Sequence, residues 1–172
     1  TKNGTLNLLN QIKTLHLNNI RVIYGDAKEK LSTLFQDEQL ESVYINFPDP
    51  WPKRRHIKLR LINPSFANLV IQKLAVKGRL YLATDSEQYA QEILEYFNTE
   101  PLCQNMHSSG LMEYRNNLPK TKYEKSFIYA GEKIYYLEYS RLVIADNSKK
   151  EGCKIPSKEE KTPQSLNILE QS

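Results

Sequence analysis

Ser42-Val43-Tyr44-Ile45-Asn46-Phe47-Pro48-Asp49-Pro50-Trp51-Pro52-Lys53-Arg54-Arg55-His56-Ile57-Lys58-Leu59-Arg60 is the stretch on which the fold turns. Its first six residues have the β-branched and aromatic content of a buried strand. Asp49 then stands just beyond a strand's carboxyl end, the edge where open α/β sheets bind ligands. Each proline pushes the residue before it out of the α region and fixes its own φ, so residues 47–51 read as a stiff, extended loop. Such a loop suits reacting groups that must be held closely, and Trp51 offers a π face to a planar ring. Taken alone, the motif reads more readily as a proline-rich turn with a solvated aspartate and a core tryptophan. The five cations Lys53, Arg54, Arg55, Lys58 and Arg60, with no acid among them, reverse that balance. Clustered charge of this kind is the footprint of a phosphate backbone, whereas scattered lysines mark a solvated face.

Working outward, strands and helices alternate. A helix over about Gly4 to His16 leads to a short strand, Arg21 to Tyr24, closed by Gly25-Asp26. A helix over Ala27 to Phe35 follows, with Leu31, Leu34 and Phe35 on one face. After the basic run, Pro64 to Leu74 reads as a helix with Phe66, Leu69, Val70 and Leu74 inward, and Lys77-Gly78 as its stop. Arg79 to Thr84 is a strand ending at Asp85, and Ser86 caps a helix running to Phe97. Ile134 to Tyr139 is a further strand, with a short helix headed by Thr121-Lys122-Tyr123-Glu124 before it. The alternation predicts an α/β fold, a parallel sheet with helices on both faces. Three strands are each followed at once or nearly so by an aspartate: Asp26, Asp49 and Asp85. Turn preference explains any one of these, but all three fall on one sheet edge, which favours a site.

At 172 residues, the chain holds one folded unit, residues 1–146, and a tail, 147–172, poor in apolar residues and expected to be disordered. Lys+Arg 24 against Asp+Glu 20 gives a net charge of +4, unremarkable except for its clustering. Cys103 and Cys153 make no C-x-x-C pair, and His16, His56 and His107 lack ligand spacing, so neither a disulfide framework nor a metal site is suggested. No apolar run is long enough to cross a bilayer and no signal peptide is evident, which points to the cytoplasm. Whether the chain is a monomer or a homodimer stays open.

Taken together, Phe47-Pro48-Asp49-Pro50-Trp51, Lys53, Arg55-His56, Lys58 and Arg60, with Gly25-Asp26-Ala27 upstream and Thr121-x-Tyr123-Glu124 downstream, resemble the bacterial-type tRNA guanine-N7 methyltransferases over about Gly4 to Arg141. The resemblance implies a Rossmann-like class I methyltransferase fold. It further implies methyl transfer from S-adenosylmethionine to N7 of a guanine in the tRNA variable loop. Carried over by position, the catalytic aspartate is Asp49, which also lies against the cofactor together with Asp26. RNA-facing positions fall on Lys53, Arg55, His56, Lys58, Arg60, Asp85, Thr121, Lys122, Tyr123 and Glu124. The family's basic segment commonly ends in two adjacent cations, whereas here Leu59 precedes Arg60. A larger departure is the lack of a glycine-rich cofactor turn: the six glycines form no G-x-G. With an opening inside an amphipathic segment, this reads as an amino-terminally truncated copy lacking the first two strands. Two other readings remain. One is a non-catalytic RNA-binding remnant. The other is an exocyclic-amine methyltransferase, whose D-P-P-Y loop places both prolines after the acid instead of around it.

Overall fold

The computed structural model describes residues 2–115, 118–143 and 165–169. Five strands form one sheet in the order β3-β4-β2-β1-β5. They are β1 (Leu40–Asn46), β2 (Leu74–Thr84), β3 (Cys103–Asn105), β4 (Tyr135–Arg141) and β5 (Ser165–Leu169). β1 runs parallel to β2 and to β5, while β4 is antiparallel to both β2 and β3. The sheet is therefore mixed, and only its β5-β1-β2 part has the all-parallel form expected.

Register decides which side chains meet. Val43 lies opposite Leu80, and Leu80 opposite Tyr139; Ile45, Leu82 and Leu137 form the next row. Side chains alternate across a strand, so these rows share one face. Against it pack α2 (Ala27–Leu34), α3 (Pro64–Lys73) and α4 (Glu87–Asn98), contributing Leu31, Phe66, Val70, Tyr89, Ile93 and Phe97 to one buried cluster. The helices begin where their caps dictate: Asn63 accepts from the Phe66 N–H, Pro64 fills the first turn, and Ser86 accepts from the Tyr89 N–H. On the opposite face, α5 (Lys122–Tyr129) covers one corner, where Phe127 joins Phe47 and Met112 around Ala83, Ile134 and Tyr136. Helix α1 (Lys2–Thr14) leaves Leu6, Leu8 and Leu9 exposed.

Three expectations need correction. Arg21–Tyr24 is not a strand; Ile23 and Tyr24 are exposed, and Arg21 bonds to the carbonyls of Asn18 and Ile20. A strand exists only with a neighbour, and β5 occupies the outer edge of β1. Lys77-Gly78 is not a helix stop either. The helix ends at Lys73, and β2 starts at once with a bulge: Leu40 faces Leu74 but Ser42 faces Arg79. Lys77 takes φ 65° there, and a Cβ on Gly78 would sit 2.7 Å from the Ala75 carbonyl oxygen and 3.1 Å from those of Leu40 and Glu41. Leu34, expected on the inner face of α2, is exposed.

Within the stretch expected to be a disordered tail, Ser165–Leu169 is a strand, paired with β1 from Ser42↔Ser165 to Asn46↔Leu169. Leu166, Ile168 and Leu169 make it the one apolar run in a polar segment, which averaging over the tail conceals. The expected boundary at residue 146 and the rest of the tail lie outside the described residues. Among the described residues, no helix is long and apolar enough to cross a membrane.

Candidate functional site

β1 and β2 end side by side, with Asn46 opposite Ala83, and the Phe47 N–H extends the ladder by donating to the Ala83 carbonyl at 2.8 Å. The Asp49 loop and Asp85 therefore leave the sheet at the same edge, two of the three aspartates expected there; Asp26 follows no strand and caps α2. The Asp49 loop is less extended than its prolines suggest. Phe47 and Trp51, each followed by a proline, take φ 53° and 39°. A following proline favours the extended region, so the left-handed φ of both is strained, at a cost of about 1–3 kcal/mol each. Packing holds the first of these, since the Phe47 ring lies 5.4 Å from Tyr123 and 5.6 Å from Phe127.

Asp49 is half-buried, and its Oδ1 accepts from the Trp51 N–H at 3.2 Å. The Trp51 ring meets the His56 edge at 5.4 Å, and Arg55 Nε donates to His56 Nε2 at 3.2 Å. Residues Arg54–Leu59 wind into a 3-10 helix, with Lys53, Arg54, Arg55 and Lys58 all exposed. His56 is half-buried, so it faces Trp51 as much as solvent.

Arg60 departs from its expected role. It is 2% exposed, with Nε donating to the Pro50 carbonyl at 2.7 Å, Nη1 paired with Glu92, and the guanidinium over the Tyr89 ring at 4.8 Å. It is a buried tether and is not open to a phosphate. Counting cations along the run could not reveal this, because the 3-10 helix turns the last of them inward.

The Thr121–Glu124 segment divides in two. Thr121 Oγ1 accepts from the Glu124 N–H at 3.1 Å and Glu124 Oε2 accepts from the Thr121 N–H at 2.6 Å, a reciprocal cap on α5. Glu124 is wholly buried, and its Oε1 also accepts from Arg115 at 3.0 Å and from the Tyr136 hydroxyl at 3.1 Å. The carboxylate expected to face RNA is thus spent inside the protein. T-x-x-E is the signature of such a cap, and that signal was available in the sequence. Lys122 and Tyr123 do face outward, and Tyr123, 54% exposed, stands beside Phe47 at the rim of the loop. Asp26 is exposed at the start of α2, where Oδ1 accepts from the Lys28 N–H at 2.7 Å. The same helix reaches the basic segment through Lys28 Nζ, which donates to the Arg60 carbonyl at 2.9 Å.

A family model described as "Putative methyltransferase" matches residues 1–137. The chain belongs to this methyltransferase family. Among curated relatives, a tRNA (guanine-N(7)-)-methyltransferase of Alkalilimnicola ehrlichii is 38% identical over 138 residues, 80% of this chain and 58% of that protein. Another so named, of Idiomarina loihiensis, is 43% identical over 122 residues, 70% of this chain and 50% of that protein. This methyltransferase-family chain spans about half to three-fifths of the length of the curated relatives it matches. A solved rRNA methylase from Streptococcus thermophilus aligns with 78% of this chain and 64% of its own, at 14% identity and a TM-score of 0.47.

The electrostatics of this family member's buried polar groups follow from their partners. Burial alone would raise the Glu124 carboxyl, but hydrogen bonds from the Thr121 backbone and hydroxyl, with Arg115 and Tyr136 beside it, hold it below its ordinary value. Burial, followed by the Glu124 charge, pushes the Tyr136 hydroxyl up to about 12. Burial, then Glu100, raises the Cys103 thiol to about 12, which favours the protonated form of this partly buried group.

Proposed function

We propose that this chain serves tRNA guanine-N7 methylation, the transfer of a methyl group from S-adenosylmethionine to N7 of the variable-loop guanine. One observation carries the reading: Asp49, tied to the Trp51 N–H, leaves the end of parallel strands directly beside four exposed cations. The names of relatives at 38% and 43% identity support it. Lys53, Arg54, Arg55 and Lys58 grip phosphates, while Lys122 and Tyr123 flank the target base from the far side of the loop. Asp85 lines the same rim, and His56 braces Trp51. With tRNA as substrate, the activity would be cytoplasmic.

Bound S-adenosylmethionine would supply the sulfonium methyl group. Guanine N7 carries an in-plane lone pair and no proton, so Asp49 has no proton to abstract. Its task is to orient the base and to place a fixed negative charge beside the positive charge that develops on the purine. Its tether suits that task, because a preoriented carboxylate needs no reorganisation during the reaction. The described residues fit the cofactor in part. Asp26 and Asp49 offer carboxylates, and the nearest side chain to the open face of Gly25, at φ 147°, is the flexible end of Lys30, whose Cε a Cβ there would meet at 2.8 Å.

The test is methyl transfer from radiolabelled S-adenosylmethionine to unmodified tRNA, with the modified base located by strand scission at 7-methylguanosine. Asp49→Ala should lower turnover by about 10²–10³-fold while leaving tRNA affinity nearly intact. Equal turnover in the variant would discard the role. That the six glycines form no G-x-G favours a second reading, an RNA-binding remnant without catalysis. Calorimetry separates them: heat on adding S-adenosylmethionine supports the enzyme, and silence with retained tRNA binding supports the remnant.

A further inference from the structure

The peptide between Pro50 and Trp51 is held at both of its polar atoms. Its N–H donates to Asp49 Oδ1 at 3.2 Å, and its carbonyl accepts from Arg60 Nε at 2.7 Å. One rigid plane therefore connects the Asp49 carboxylate to the Arg60 guanidinium. Arg60 is fixed in turn by Glu92 of α4 and by the Tyr89 ring beneath it. Tyr89 is itself immobile, being fully buried, with its hydroxyl accepting from the Ile62 N–H at 3.0 Å.

We propose that Arg60 and Glu92 are positioning residues, a strap that sets the orientation of Asp49 and the stance of the basic segment from the rigid side of the sheet. The proposal rests on the reading of Asp49 given above only for its consequence, not for its geometry. Closing residue 60 onto residue 50 makes the intervening segment a compact loop whose cations all point outward. Arg suits the position because its planar fork reaches a carbonyl through Nε and a carboxylate through Nη1 at once. A lysine ammonium has no such fixed pair of directions. Glu92 is more than a counter-ion: without it a guanidinium with 2% exposure would be drawn toward solvent, taking the Pro50 carbonyl with it.

Trp51 is the sole tryptophan of the chain and adjoins the held peptide, so its fluorescence reads the strap directly. Acrylamide quenching should be compared in the wild-type chain, Glu92→Gln, Arg60→Lys and a control, Glu38→Gln. The control loosens the other buried arginine, Arg141, whose partner Glu38 lies at 2.8 Å. In Glu92→Gln and Arg60→Lys the quenching constant should rise about twofold or more as the loop opens locally, with circular dichroism unchanged. The control should match wild type. Wild-type quenching in Glu92→Gln, or an equal rise in the control, overturns the strap. Should Arg60→Lys fail to fold, Glu92→Gln decides alone, since Glu92 is partly exposed and its replacement keeps its shape. Methyl transfer is not needed for this readout. A rise in quenching alongside full activity in Asp49→Ala would therefore keep the strap and discard the catalytic reading.

Discussion

The Tyr136 hydroxyl donates to Glu124 Oε1 across 3.1 Å, joining β4 to the first turn of α5 within the wall behind Phe47. Both partners are tuned for this bond, the carboxyl downward and the phenol upward. A carboxyl lowered on folding contributes stability that is full above its unfolded value near 4.5 and drains as pH falls through the folded value. A phenol raised on folding contributes below 10.0, and that share is lost as pH climbs toward about 12. Urea unfolding followed across pH should show both flanks. Glu124→Gln should flatten the acid flank and cost about 3 kcal/mol near neutrality, because the Arg115 charge is left buried beside a neutral amide.

Binding of tRNA should weaken with salt as four neutralised phosphates require, a logarithmic slope of about −3. Removing one exposed cation, by Lys58→Gln for example, should reduce the slope by about 0.7. A fluorescence titration at several salt concentrations checks this. A slope near zero would mean that the exposed cations do not meet the RNA backbone.

Gly78→Ala should destabilise the fold by about 1–3 kcal/mol, since the added methyl meets three backbone carbonyl oxygens that no rotamer change can move. Thermal unfolding measures the loss. The exposed Gly131 is a poor comparator despite its open surroundings, because its φ of 75° penalises any Cβ.

Cys103 should resist alkylation at neutral pH until the chain is unfolded. Its thiol bonds to the Phe97 carbonyl at 3.1 Å and is held protonated by burial. Peptide mapping after brief iodoacetamide treatment, with and without denaturant, reads the difference.

Much of this architecture could be read before any coordinates. The strand before Asp49, the caps at Asn63 and Ser86, and the inward faces of α3 and α4 follow from patterns spanning only a few residues, and such patterns survive folding. What escaped depends on partners distant in sequence. Arg21–Tyr24 has strand-like residues but no free edge to join. Lys77-Gly78 looks like a helix terminus because the close approach of β1 to Gly78 is invisible along the chain. Arg60 reads as one of its basic neighbours because nothing local shows that Glu92, 32 residues away, pairs with it. Glu124 is the exception, a local signal: its spacing from Thr121 is that of a cap, which turns the carboxylate inward.

Strand β5 has a bearing on handling the protein. Deleting residues 147–172 to tidy the chain would strip the outer side of β1, leaving the amides and carbonyls that meet Ser165–Leu169 open to whatever extended peptide drifts past. The shortened version would keep its basic loop but tend to clump in concentrated samples, and soaking up a synthetic copy of the lost pentapeptide should restore its good behaviour.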